Sequence, residues 1–263
     1  LALVLPLFFV SPVSAQGPTG SWATGISCQN QDPDNDASIE LVFYAQGSGT
    51  EVLTYNDTIG AGMSKNYYTS TSFTGLPSDF FGSLVVNSDK PLTCAAEHSK
   101  TSTGTMSDPY RFAASKGFNS GEAAPKIFVS QIEKDFYGWN SYMSIQNTTG
   151  TSTDVTVTFV SRYGSNLAAA TENFTIPGYS NHVVYLENNV NIPSNFIGGA
   201  TIMADDGTTP LVVTATFYNS GADHRSSQIH AYNGATTGSN TLYAPYVLRN
   251  YYGYQTGMMV QNV

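Results

Sequence analysis

Apolar and polar residues alternate with a period of two along several stretches of the chain, among them residues 39–46, 155–160 and 211–218. This is the period of a strand with one buried face, whereas an amphipathic helix repeats about every 3.6 residues. Turn signals such as Gly47-Ser48-Gly49 and Pro177-Gly178 separate the stretches at short intervals. The pattern predicts an all-β chain of short, half-buried antiparallel strands.

The chain also contains an internal repeat. Residues 21–30 match residues 138–147 at an offset of 117. Two further blocks follow in the same order at an offset of 116: residues 39–43 match 155–159, and residues 76–82 match 192–198. A third copy opens at residues 252–262, which repeat residues 137–147 at an offset of 115. Units of roughly this size with short strands are typical of immunoglobulin-like β-sandwiches.

We therefore expect two tandem antiparallel β-sandwich domains, either Ig-like or jelly-roll-like. The predicted segments are an apolar N-terminal segment at 1–16, domain 1 at 17–127, domain 2 at 128–250 and a C-terminal strand at 251–263. That last strand is either donated to a neighbouring subunit or is the start of a third repeat that continues beyond Val263. Trp22 should superpose on Trp139, and Cys28 on Ile145.

The N-terminal residues have the pattern of a secretory signal. An apolar run from Leu1 to Val10 precedes a small-x-small cleavage site after Ala15. Two prolines interrupt a stretch already shorter than the roughly 20 apolar residues of a membrane-spanning helix. The pattern predicts secretion to an extracellular or cell-surface location without stable membrane insertion. If the segment is retained instead, it needs an apolar groove, which would receive Leu3, Leu5, Leu7 and Phe9.

The two cysteines, Cys28 and Cys94, occupy the repeat positions of Ile145 and Val213, which lie on inward-facing rows. Two core positions replaced together predict a cross-sheet disulfide in domain 1. Closing 66 residues would remove about 4 kcal/mol of unfolded-chain freedom. The alternative is a pair of free buried thiols, because cysteine also serves as a small apolar residue.

Charge and motif content argue against several functions. Charged residues form 11% of the chain and the net charge is −9, so the basic surface of a nucleic-acid binder is absent. No Gly-x-Ser-x-Gly, His-Glu-x-x-His or Walker motif occurs. We expect a protein that is not an enzyme and has no catalytic residue, cofactor or metal site. The chain has four histidines: His98, His182, His224 and His230. Asp223-His224 and His230 come nearest to a ligand cluster, and we interpret them as a solvated loop because no Cys, Glu or third His completes the set nearby.

Three alternating carboxylates, Asp32, Asp34 and Asp36, resemble the first half of a calcium loop. Ala37 and Phe43 stand where an EF-hand has glycine and glutamate, so calcium binding and an ordinary polar turn both remain open.

Three N-glycosylation sequons begin at Asn56, Asn147 and Asn173. Asn173 alternates with the apolar Phe174 and should face outward, while the other two lie at or near predicted turns. Covalent glycans would help to keep a surface with so little charge soluble. We predict glycosylation at these sites in a host that has the machinery.

Seventeen tyrosines allow two interpretations. They could form a sugar-stacking platform, or they could contact other modules, since interfaces are enriched in tyrosine. The candidates are Tyr67, Tyr68, Tyr137, Tyr163, Tyr179, Tyr251 and Tyr252. Phe-Tyr-Gly-Trp and Tyr-Tyr-Gly-Tyr recur at the junctions between repeats, which favours packing between modules.

The repeated Trp-x-x-x-φ-x-φ-Gln-Asn block, at residues 22–30 and 139–147, and the Phe-x-Gly-x-φ block at 80–84 resemble those of tandem-repeat β-sandwich proteins of prokaryotic cell surfaces. The chain is also similar to pilin-like filament subunits assembled by strand donation. That resemblance implies an extracellular fibre without enzymatic activity. The chain departs from chaperone-usher subunits, which have one incomplete domain and no repeat of this length.

The resulting hypothesis is a structural subunit of an extracellular filament or cell-surface assembly, whose partners are copies of itself. Residues Met258 and Val260 lie on one face of the C-terminal strand and would be donated to the next subunit. The alternative function is a secreted adhesin or carbohydrate-binding module from a longer repeat array. Micrometre-long fibres would favour the first function, and a monodisperse protein the second.

Overall fold

The computed structural model of the protein describes residues 20–102, 104–105, 110–221 and 227–263. The predicted signal segment, with Leu3, Leu5, Leu7 and Phe9, lies outside the described residues, and so does His224.

The described chain is all-β, as predicted. Its strands are β1 (Ser21–Asn30), β2 (Ala37–Ala45), β3 (Glu51–Ile59), β4 (Ser64–Tyr68), β5 (Gly82–Ser88), β6 (Leu92–Thr101), β7 (Arg111–Lys116), β8 (Lys126–Lys134), β9 (Trp139–Asn147), β10 (Thr153–Ser161), β11 (Glu172–Ile176), β12 (Asn181–Tyr185), β13 (Phe196–Ala204), β14 (Leu211–Asn219), β15 (Ile229–Asn233), β16 (Arg249–Tyr251) and β17 (Tyr254–Gln255). The 3₁₀ helices that lie wholly within the described residues are Ser120–Glu122, Ala168–Ala170 and Leu186–Asn188. The predicted boundaries at 127/128 and 250/251 fall inside β8 and β16.

The strands form two antiparallel β-sandwiches. In the first sandwich, a sheet of order β4-β1-β6-β7 faces a sheet of order β3-β2-β5. In the second, β12-β9-β14-β15 faces β11-β10-β13-β8. Strands β9 to β13 take the places of strands B, C, C′, E and F in a variable-type immunoglobulin domain, while β14 joins β9 instead of β13.

Each sandwich has its own hydrophobic core, built from the alternating rows seen in the sequence. The core of the second contains Met143, Ile145, Val155, Val157, Phe159, Leu211, Val213, Ala215 and Phe217, all with at most 1% of their surface exposed. The core of the first contains Ile26, Cys28, Ile39, Leu41, Phe43, Ile59, Tyr67 and Phe73. Apolar burial of this kind is the main favourable contribution to folding.

The two sandwiches also share strand register. Cys28 lies opposite Cys94, as Ile145 lies opposite Val213. Each tryptophan occupies the same place in its sheet, because Trp22 pairs with Lys100 and Trp139 pairs with Asn219 at the corresponding positions.

The predicted disulfide between Cys28 and Cys94 is present, but its predicted position between two sheets was wrong. The bond joins β1 and β6, which are adjacent strands of one sheet, across a Cα–Cα distance of 4.1 Å. Alternation shows which face a residue occupies but not which strand lies beside it. Two inward-facing residues can therefore be partners within a sheet as well as between sheets.

The sandwiches are in direct contact. The hydrogen bonds between their described residues include those from Ser83 Oγ to the Tyr179 carbonyl (2.7 Å), from Ser180 Oγ to the Ala45 carbonyl (2.9 Å) and from Arg111 Nη2 to the Asn219 carbonyl (2.9 Å). The Tyr44 and Tyr179 rings also meet, with centroids 5.3 Å apart. The outer face of the sheet formed by β12, β9 and β14 thereby lies beside the first sandwich.

Candidate functional site: the open edge of the first sandwich

One edge of the first sandwich has no covering strand among the described residues. In the second sandwich, β13 pairs with β10 on one side and with β8 on the other. The corresponding strand β5 pairs with β2 on one side, and its other side forms the edge of the sheet. We refer to this unpaired side of β5 as the open edge.

In the second sandwich, β8 places three apolar residues in the core. Ile127, Val129 and Ile132 are fully buried and lie opposite Ile202, Ala200 and Gly198 of β13. The equivalent positions of β5 are Val86, Leu84 and Gly82. A strand beside the open edge would therefore add three side chains to the first core.

The two cores also differ in exposure within the described residues. Leu84 and Val86 are half-buried, whereas Ala200 and Ile202 are completely buried. The same difference runs along β6, where Leu92, Cys94 and Ala96 are half-buried and their counterparts in β14 are fully buried: Leu211, Val213 and Ala215. The apolar residues beside the open edge are therefore partly exposed, whereas their counterparts in the second sandwich are covered by β8.

A cleft of about 1900 Å³ adjoins the open edge. One wall is apolar and comes from the first sandwich, including Phe43, Leu84 and Val86. The opposite wall is the outer face of the second sandwich and includes Tyr142, Ser144, Gln146, Asn181, Tyr185, Thr214 and Thr216. The cleft therefore offers apolar surface on one side and hydroxyl and amide groups on the other.

The lining of the cleft carries no net charge at neutral pH. Burial lowers the pKa of His98, raises the pKa of Tyr185 to about 12, and raises that of Tyr142 as well, so all three are neutral. The charged lining residues are Lys90, Lys116, Glu122 and Glu187, and Lys116 forms an ion pair with Glu122. This environment suits an uncharged ligand that combines apolar side chains with hydrogen-bonding groups.

The wall of the cleft also carries an unpaired acceptor. Asn181 is 3% exposed, and its Nδ2 donates to Ser144 Oγ at 3.1 Å. Its Oδ1 is buried without a hydrogen-bond partner. An unpaired acceptor that is buried in this way lowers the stability of the folded chain.

The C-terminal residues fold as a copy of the β8–β9 connection. Asn250, Tyr252 and Gly253 have positive φ angles of 53°, 49° and 82°. Asp135, Tyr137 and Gly138, which lie 115 residues earlier, have φ angles of 51°, 52° and 82°. These paired values indicate the same turn in both places.

One side-chain hydrogen bond recurs together with this turn. The Glu133 backbone N–H donates to Ser141 Oγ at 2.9 Å, and the Leu248 N–H donates to Thr256 Oγ1 at the same distance. The residues of the second pair again lie 115 positions after those of the first. The bond fixes the correspondence between residues 246–251 and the end of β8.

The predicted C-terminal assembly residues are exposed. Met258 and Val260 have 66% and 67% of their surface accessible, while their repeat counterparts Met143 and Ile145 are fully buried. Their role in assembly stays a prediction.

The structure distinguishes the three sequons. Asn56 and Asn173 are exposed, as glycan attachment requires. The prediction for Asn147 was wrong, because its Nδ2 is buried and donates to the carbonyl oxygens of Thr151 and Ile176, at 2.7 and 3.2 Å. A folded chain has no space for a glycan on that nitrogen.

Sequence reasoning missed the structural role of this asparagine and its repeat partner. Asn30 is also fully buried, and its Nδ2 donates to the carbonyl oxygens of Asn35 and Ile59, at 2.7 and 3.2 Å. Each side chain thereby connects the end of one strand to the following loop and to the end of a strand in the facing sheet. The signal was visible in the sequence, since both residues end a repeated Gln-Asn block.

The aspartate loop is arranged as a hydrogen-bonded turn. Asp32 Oδ1 accepts the backbone N–H groups of Asp34 and Asn35, and Asp36 Oδ1 accepts that of Ala61. Within the part of the chain that the structure describes, no three His, Cys, Asp or Glu residues form a group that could hold a metal ion.

The predicted histidine and tyrosine candidates do not converge on one site. His182 stacks on Phe174 and His230 on Phe217, with ring centroids 3.8 and 4.5 Å apart, and His230 lies in strand β15 rather than in the predicted loop. Tyr67 is buried in the first core, and Tyr179 lies at the contact between the sandwiches, while the other tyrosine candidates are exposed: Tyr68, Tyr137, Tyr163, Tyr251 and Tyr252.

The described residues include no helix long and apolar enough to cross a membrane. Comparison with models of known protein families and with curated proteins gives no match. A solved structure described as the crystal structure of Thermotoga maritima 1070 is similar over 42% of this chain and 92% of its own length. Its sequence identity is 16% and its TM-score is 0.35, values too low to support an argument about function.

Proposed function

We propose that the chain is a structural subunit of an extracellular filament or cell-surface assembly that polymerises head to tail by β-strand donation. The observation that carries the proposal is the open edge. In the second sandwich, β8 pairs with the free side of β13, the counterpart of β5. In the first sandwich, no described strand pairs with the same side of β5.

An uncovered edge beside an apolar cleft favours the addition of a strand. The unpaired N–H and C=O groups of β5 are a template for pairing, and a donated strand would satisfy them while its side chains fill the cleft. The contact would join different surfaces of two subunits, because the acceptor is the first sandwich and the donor is another part of the chain. A heterologous contact that does not close on itself propagates as a fibre.

Two features support an extracellular setting for this assembly. The Cys28–Cys94 disulfide is of a kind that persists in oxidising compartments. The small-x-small cleavage pattern after Ala15 favours export of the chain.

The test uses negative-stain microscopy and sedimentation of purified residues 16–263, with two lysine variants of β5. Val86→Lys places a charge on the core-facing side of β5, opposite Leu41, whereas Asn87→Lys places one on the exposed outer side of the same strand, opposite Glu40. We expect fibres from the parent protein and from Asn87→Lys, and folded monomers from Val86→Lys. The proposal fails if the parent stays monomeric at every concentration, or if Val86→Lys forms normal fibres.

One observation favours carbohydrate binding, the second candidate function. Tyr142 and Tyr185 line the cleft with ring centroids 5.4 Å apart, beside Ser144 and Gln146. Aromatic faces next to hydroxyl and amide groups suit a sugar. This function predicts a monomeric protein that binds glycans on an array, with binding lost in Tyr185→Ala.

A further inference from the structure

Within one chain, the two sandwiches meet through a loop of the first and a turn of the second. The loop follows β2 and spans residues 46–50, and the turn precedes β12 and spans residues 177–180. The Gly47 N–H donates to the Asn181 carbonyl at 3.1 Å, next to the turn. Neither segment contains a charged residue. We refer to this contact as the junction.

The turn has a copy in the first sandwich, at residues 60–63 before β4. Gly62 and Tyr179 both have positive φ angles, of 64° and 57°. Their N–H groups donate, both at 2.8 Å, to the carbonyls of Asp32 and Thr149, which are also counterparts in the repeat. The two turns therefore have the same conformation and the same position in their sandwiches.

The loop has a copy in the second sandwich, at residues 162–165 after β10. The N–H groups of Gln46 and Arg162 donate to the carbonyls of Phe81 and Ile197, at 3.0 and 2.9 Å. The same hydrogen bond gives both loops the same position at one end of their sandwich. The molecule therefore carries a second turn at its first-sandwich end and a second loop at its second-sandwich end.

The second loop is basic and aromatic. Arg162 and Tyr163 stand where the junction has the uncharged Gln46 and Gly47. Tyr163 is 81% exposed, and the Arg162 guanidinium lies 4.7 Å from the centroid of its ring. No described carboxylate forms an ion pair with Arg162. Arginine and tyrosine are enriched at protein interfaces.

The second turn is apolar and lies beside acidic residues. Met63 is 65% exposed and stands where the junction has Ser180. The carboxylates of the adjoining loop belong to Asp32, Asp34 and Asp36, whereas the counterpart loop at residues 149–153 is uncharged. Lys90 interacts with Asp32, so the group keeps a net negative charge. The two outer ends of the chain are therefore opposite in charge.

We infer that a second copy of the chain docks end to end, with its turn 60–63 on the loop 162–165 of the first copy. The contact would repeat the junction, as neighbouring modules do in repeat proteins. Arg162 would face the Asp34 carboxylate, and Tyr163 would pack against Met63. The two surfaces differ, so the contact propagates along a fibre. The inference rests on the proposed function only in taking a second copy as the partner, and it requires no donated strand.

The C-terminal residues occupy the position that β1 of the second copy would take. At the junction, Ser83 Oγ and Gln146 Nε2 donate to the same carbonyl, at 2.7 and 3.2 Å. Their counterparts Gly199 and Gln261 also lie against each other. The corresponding residue of the second copy is Gln29, so the C-terminal residues must leave before that copy docks.

Cysteine cross-linking of residues 16–263 tests the contact directly. Tyr163→Cys in one batch is mixed, before assembly, with Met63→Cys in another or with the matched control Tyr68→Cys. Tyr68 is 53% exposed and lies at the other end of β4. A short bismaleimide should join positions 63 and 163, because their counterparts Ser180 and Gly47 adjoin at the junction. Peptide mass spectrometry should find at most about a tenth as much 68–163 product.

The outcomes separate this contact from strand donation. Fibres without the 63–163 product, or with equal amounts of both products, would overturn the end contact and leave strand donation intact. The 63–163 product in a protein that forms no fibres would support the end contact and refute the proposed function. Deletion of residues 256–263 should increase the product at least about threefold, because it vacates the position of β1. An unchanged or smaller amount after deletion would overturn the assigned docking position.

Charge reversal tests the chemistry of the same contact. Arg162→Glu and Asp34→Arg should each lower the 63–163 product at least about fivefold, and their combination across the two batches should restore at least about half of it. Asp79→Arg is the matched control, because Asp79 is exposed in the loop before β5, at the other end of the first sandwich, and it should change the product less than about twofold. Equal losses from Asp34→Arg and Asp79→Arg, or no restoration in the combination, would overturn the assigned contact.

Discussion

Removing the Cys28–Cys94 disulfide should destabilise the first sandwich and leave the second unchanged. The bond closes a sequence separation of 66 residues, for which the loop-entropy relation gives about 4 kcal/mol. In a sandwich of about 100 residues this corresponds to a fall in Tm on the order of 20 °C. The second sandwich has Ile145 and Val213 at the same places, so it has no bond to lose there.

The two tryptophans separate the sandwiches in a denaturation experiment, since Trp22 lies in β1 and Trp139 in β9. Trp139→Phe leaves a fluorescence signal from the first sandwich, and Trp22→Phe leaves one from the second. In the Cys28→Ala/Cys94→Ala background, the urea midpoint reported by Trp22 should fall while that reported by Trp139 stays constant.

A matched variant isolates the covalent link from packing. Cys28→Ile/Cys94→Val installs the residues that the second sandwich uses at these positions and keeps the sites apolar. It should recover less than half of the lost free energy of unfolding, because the loop is still open. A decrease of less than about 1 kcal/mol in the free energy of unfolding reported by Trp22 after loss of the disulfide would refute the reasoning.

Three further predictions concern single positions. Asn147→Ala should lower the free energy of unfolding, measured in urea through Trp139, by about 3 kcal/mol, because it removes the hydrogen bonds to the Thr151 carbonyl and to the buried Ile176 carbonyl; a loss below about 1 kcal/mol would contradict this. Burial lowers the pKa of His98 below 6.5, so the first sandwich should lose stability as the pH falls through 6.5 towards 5; His98→Phe should remove this part of the pH dependence measured through Trp22, and an unchanged slope would count against it. After expression in a glycosylating secretory host, peptide mapping should find glycans at Asn56 and Asn173 and none at Asn147, and a modified Asn147 in folded protein would contradict the structure.

The sequence predicted the fold class and the identity of the cysteine pair because both follow from local periodicity and from the repeat. Rows such as Leu211, Val213, Ala215 and Phe217 alternate without interruption, and all four side chains are fully buried. The repeat placed Cys28 and Cys94 on core positions. It did not show that they are opposite each other in one sheet, because the pairing of strands distant in sequence is not a periodic property.

Two features of the candidate site could not be obtained from the same reasoning. The sequence around Asn147 matches a glycosylation sequon, but the side-chain amide donates to the carbonyls of Thr151 and Ile176. Only folding brings these carbonyls together around the amide. The open edge is recognised because β8 pairs with β13 while no described strand pairs with the same side of β5. Alternation of apolar and polar residues within a strand does not show which strands lie beside it.

Hydrogen–deuterium exchange of β5 measures most directly whether the open edge receives a strand from another copy. The account predicts that the backbone amides of Gly82–Ser88 that point away from β2 exchange rapidly in the monomer and at least about 100-fold more slowly in the assembled protein. The amides of β13, which is paired on both sides, should exchange slowly in both states. Protection of β5 already in the monomer would show that the chain covers its own edge. Rapid exchange of β5 in assembled fibres would equally contradict strand donation at this site.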